Sequence, residues 1–78
     1  MSIIEKCLKL REIFPEYKDN QYYKNQLDYY QNDIKDLNAA EKFAKLSTIM
    51  QVSNNHQDAL SMLAAYELYN DLDITLMR

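Results

Sequence analysis

His56 and Cys7 are the single histidine and the single cysteine of this 78-residue chain, so most catalytic or metal chemistry would have to begin with them. His56 stands two residues before Asp58, the nearest approach to a base with an orienting carboxylate. No nucleophile can be assigned beside the pair, which reads as two polar residues at a helix entrance. Asp33 with Asp36, and Asp71 with Asp73, are neighbouring carboxylates. Acid–base work would need one of each pair desolvated, and nothing in the adjoining sequence does so. Cys7 falls at helical spacing among Ile3, Leu10 and Phe14, as a small buried apolar residue rather than a reactive thiol. Zinc sites draw on several Cys and His ligands, and di-iron bundles on Glu-x-x-His pairs; neither set is present. The chain has no glycine, which removes phosphate-cradling loops and the EF-hand turn. These absences predict a protein that is not an enzyme and carries no cofactor and no metal.

Composition narrows the partners. The formal charge is −3. No segment has a basic excess suited to a phosphate backbone, so nucleic acid is not an expected partner. A helix-turn-helix DNA regulator is the minor alternative, with Lys42 and Lys45 as its basic candidates. No run of about 18 apolar residues is present to span a membrane. Glu5, Lys6 and Lys9 interrupt the apolar pattern at the N-terminus, unlike a signal peptide. A lone cysteine fits a reducing compartment, and the expected location is the cytoplasm. Phe, Tyr, Met, Ile, Asn and Lys far outnumber Gly, Ala, Arg and Pro. The first group uses AT-rich codons, which fits an AT-rich genome, phage or plasmid as the source.

The elements that must position these residues are helical. The length suits one domain over 1–78 with a thin core. The hydrophobic period predicts an all-α bundle of four helices, near 2–14, 20–37, 39–52 and 56–72. Ser2 and Glu5 have capping-box spacing. Ile3, Cys7, Leu10 and Phe14 set the first apolar face, Ile4 and Leu8 widen it, and Pro15 stops the helix. A connection over 15–20 follows, with Asp19 or Asn20 as the next cap. Tyr23, Leu27, Tyr30, Ile34 and Leu37 then form a heptad-like seam. Lys24 and Asp28 are placed for an i,i+4 ion pair. Asn38 and Glu41 repeat the capping spacing, and the seam changes phase to Ala39, Phe43, Leu46 and Met50. That favours two helices over one long helix across 20–52, the three-helix alternative. Ser53, Asn54 and Asn55 break the pattern, and Asn55 is the expected cap of the last helix. Without glycine, helix ends are expected to use Asn or to fray. The segment 73–77 is apolar enough to dock on the bundle.

Two surfaces have the composition of contacts. Tyr22, Gln26, Tyr29 and Asp33 form a stripe beside the seam of the second helix. Tyrosine combines large area, low entropy cost and a polar tip, which favours interfaces; the plainer reading is that these rings cover a thin core. The last helix is apolar nearly all round. Ala59, Met62, Leu63, Tyr66 and Tyr69 share one face, and Ala65, Leu68 and Leu72 another. Such a helix must be buried on every side. Either the other helices wrap it, or Ala65, Leu68 and Leu72 meet a second chain. The expected function is a non-enzymatic protein–protein interaction module, a small regulator or inhibitor of phage type that occupies a surface of a host or defence complex. Its partner is another protein, with a homodimer or other homo-oligomer expected too. A subunit that only self-assembles is the alternative.

Overall fold

The computed structural model describes residues 2–76. It contains α1 (Ile3–Ile13), a 3₁₀ helix (Pro15–Asp19), α2 (Gln21–Ile34), α3 (Ala39–Asn55) and α4 (Ala59–Leu76). No strand occurs among the described residues. The chain is a small all-α bundle whose helices pack on one another.

The helix boundaries follow from their caps. The Ser2 hydroxyl accepts the Glu5 N–H at 3.1 Å, which is one half of the expected capping box. Pro15 ends α1 as expected, but the connection is itself ordered. Pro15 opens the 3₁₀ helix, where its fixed φ and missing N–H are tolerated. Tyr17 is buried there and meets Tyr23 edge-on, with ring centroids 5.1 Å apart. Asn20, not Asp19, caps α2 by accepting from the Tyr22 and Tyr23 N–H groups. α2 ends at Ile34, earlier than the seam suggested, and the Leu37 N–H bonds the Ile34 carbonyl in a turn. Leu37 still packs against the core from that turn.

A complete capping box decides the middle of the chain. Asn38 Oδ1 accepts the Glu41 N–H at 2.9 Å, and Glu41 Oε1 accepts the Asn38 N–H at 3.2 Å. Two orphan donors are satisfied at once, so 20–52 is two helices. α3 runs through the expected break to Asn55. Its end is a Schellman turn: the Gln57 N–H donates to the Asn54 carbonyl at 3.2 Å, and the Asp58 N–H to the Ser53 carbonyl at 2.8 Å. Gln57 adopts φ 58°, the position glycine normally fills. The expected Asn55 cap is absent. Asp58 serves instead, with Oδ1 accepting the Ser61 N–H at 3.2 Å. α4 continues past the expected end near 72, so residues 73–76 extend the helix rather than dock, and Ile74 and Leu76 are exposed. Met77 lies outside the described residues.

α4 is the axis of the bundle. Its 18 residues span about 27 Å, against a longest dimension of 32 Å. The other three α-helices all pack on it. Ser61 to Tyr66 are six consecutive buried residues, and Ala64 and Ala65 are small enough to let neighbouring helices reach the α4 backbone. Cys7, Tyr23, Leu46 and Met50 complete the centre of one cluster. Cys7 is fully enclosed, and burial pushes its thiol up to about 11. It is an inert apolar residue at neutral pH. Ile4 and Leu8 do not widen the packed face of α1; both are exposed at its edges.

Candidate functional site

The first turns of α2 and α4 are fastened by a polar cluster. Asp58 Oδ2 accepts the Ser61 hydroxyl at 2.7 Å and the Tyr22 hydroxyl at 2.8 Å. Gln26 Nε2 donates to the Tyr22 oxygen at 2.9 Å and to Ser61 Oγ at 3.1 Å. Partial burial works against the Asp58 carboxylate. The bonds from the Ser61 hydroxyl and N–H and from Tyr22 together outweigh it and hold the pKa below the ordinary aspartate value. No hydrogen bond joins Asp58 to His56, which is exposed at the end of α3. Ser61 is buried with its hydroxyl spent on Asp58. The arrangement joins α2 to α4. Among the described residues no three His, Cys, Asp or Glu side chains gather as a metal site.

The tyrosine stripe therefore divides. Tyr22 and Gln26 belong to this fastening. Asp33 accepts an ion pair from Lys45 of α3 at 2.9 Å, the one such pair among the described residues. Lys24 and Asp28 do not meet. Tyr29 remains 64% exposed, leaning edge-on against Tyr30 with centroids 5.8 Å apart.

The second predicted face divides as well. Ala65 has no exposed surface and belongs to the core, so it offers a partner nothing. Its small side chain lies where α4 is wrapped most closely. Leu68 and Leu72 are half-buried. They line an open groove of about 440 Å³ with Ile34, at the corner where α2 ends and α3 begins. Lys35, Lys42 and Asp71 also line it. Beyond the groove, the last turn of α4 leaves Ile74 and Leu76 uncovered.

Sequence reasoning missed the roles of four residues. Asp58 and Ser61 stand at the spacing of an N-cap and its third residue, a signal that was present. Tyr17 lies between Pro15 and Asn20 in an apparent loop, where no period could expose its burial. Lys35 joins the groove because α2 stops early, which no local pattern marked.

No family model, curated protein or solved structure matches this chain. No helix among the described residues is long and apolar enough to cross a membrane.

Proposed function

We propose that this chain is a non-enzymatic protein–protein interaction module acting in the cytoplasm, and that its contact surface is the groove lined by Leu68 and Leu72, continued by Leu76. One observation carries the reading. α4 is apolar on nearly all sides, yet the bundle encloses its first half and leaves this part of the second half open. Uncovered apolar surface of this kind marks association sites. Tyr29 is a secondary candidate contact. The small size and AT-favoured residue usage support a regulator or inhibitor encoded by a phage or mobile element, acting by occupying a host or defence protein. DNA binding is less well supported. Lys45 is held by Asp33 and Lys42 lines the apolar groove, so α3 has no row of unengaged cations for a phosphate backbone.

A photoreactive benzophenone side chain placed at position 72, and separately at position 25 on the exposed flank of α2, tests the reading in cells producing the protein. Discrete protein adducts from position 72 and none from position 25 are expected. No adduct at 72, or the same adducts from both positions, overturns it.

A further inference from the structure

We propose that the pocket between α1, the α3–α4 turn and the start of α4 binds a small monocarboxylate with a short aliphatic tail, held by Lys6. This site lies apart from the groove at the far end of α4 and does not depend on it. The pocket has a volume of about 220 Å³ and is more enclosed than that groove. Lys6 and Leu10 of α1 form one wall, Asn54 and Gln57 the side at the end of α3, and Ala59 and Met62 of α4 the other wall. Lys6 is half-buried there. Its Nζ donates to Asn54 Oδ1 at 2.6 Å and is in no ion pair within the described residues. An ammonium carries three donors, so two remain beyond the one given to Asn54.

The lining selects the charge and size of the ligand. Lys6 is its only charged side chain, and no carboxylate lines the pocket to neutralise it. The α4 groove differs, since Asp71 lines it together with Lys35 and Lys42. One uncompensated cation calls for one negative charge, and partial burial makes that contact stronger than the same contact in water. Leu10, Ala59 and Met62 supply apolar surface for a tail. Leu10 and Ala59 are half-buried, so covering them removes further apolar area from water. Nucleotides and other large ligands need more room, since drug-sized molecules take about 300–1,000 Å³. A carboxylate with a tail of a few carbons satisfies the charge, the apolar wall and the volume together. The bound molecule touches α1, α3 and α4 at once, so occupancy stabilises the bundle.

Titrating the isotope-labelled chain with hexanoate into the millimolar range, at fixed ionic strength, tests this by NMR. Hexanol and hexylammonium are the controls, sharing the tail and lacking the negative charge. Saturable shifts at Lys6, Leu10, Asn54 and Ala59 are expected with hexanoate. Hexanol should bind at least about tenfold more weakly, because it forfeits a charge-assisted hydrogen bond. The melting temperature should rise with hexanoate concentration and not with hexylammonium. Lys6→Met keeps the apolar stem and removes the charge, and should abolish the preference for hexanoate over hexanol. The absence of saturable shifts with hexanoate overturns the site, as do equal affinities for hexanoate and hexanol or shifts centred on Leu68 and Leu72. Saturation by hexanoate that Lys6→Met leaves unchanged overturns Lys6 as the anchor. The three ligands are compared on the unaltered chain, so the test stands even where Lys6→Met loses its fold.

Discussion

The two halves of α4 both carry apolar residues at helical spacing and have different fates. From Ser61 to Tyr66 every residue is buried, including a serine whose hydroxyl is bonded by Asp58, Tyr22 and Gln26. From Glu67 to Leu72 all but the exposed Asp71 are half-buried, and the last four described residues are exposed. Part of the difference lies in α4, whose second half carries Glu67, Asn70, Asp71 and Asp73; the rest comes from the neighbours. α2 stops at Ile34, and the corner into α3 leaves Leu68 and Leu72 without a covering helix. An apolar residue is core or interface according to what reaches it, and a helix apolar all round can be both along its length.

Substitutions test that contrast. Leu63→Ala should cost about 2–5 kcal/mol, because the enclosed half cannot collapse around the cavity. Leu72→Ala should cost about 1 kcal/mol or less in the monomer, since its side chain is half in water. Thermal unfolding separates the two, at about 4–8 °C per kcal/mol for a domain of this size. Equal losses at both positions would break the distinction between the halves.

Ala65→Leu should destabilise by about 1–3 kcal/mol through overpacking. A stable variant that gains or loses only association would return Ala65 to the interface.

Asp58→Ala removes the cap of α4 and the anchor of Tyr22, at about 1–2 kcal/mol near neutral pH. Hydrogen bonds hold the folded pKa of Asp58 below its ordinary value of 3.8. Its contribution is therefore complete above that value and disappears as pH falls through the lower folded pKa. Denaturant melts from pH 7 into acid should show the wild type and Asp58→Ala converging at the acid end. A constant gap would mean that the loss does not depend on the charge of the Asp58 carboxylate.

The smallest effect belongs to the turn that feeds α4. Gln57 holds a left-handed backbone at φ 58°, which costs a non-glycine residue about 1 kcal/mol. Gln57→Gly should stabilise the protein by up to about 1 kcal/mol, less the added freedom of the unfolded chain. A loss of stability would mean the Gln57 side chain makes a contribution that its backbone conformation conceals.

The sequence determined the helices and most of their inward faces. The seam of Tyr23, Leu27, Tyr30, Ile34 and Leu37 packs on the core as its spacing required, and Asn38 with Glu41 marked the corner between α2 and α3. These features are local: a cap joins residues three apart, and a helical period is read within one segment. Tertiary structure decided what was not local. It buried Tyr17 from an apparent loop, spent Tyr22 and Gln26 on Asp58 and Ser61, and enclosed Ala65 while leaving Leu72 open. Ala65 and Leu72 lie on the same side of one helix, seven residues apart, and no pattern within that helix separates them. What separates them is the point at which a different helix ends, and burial depends on that distance in space rather than on residue type.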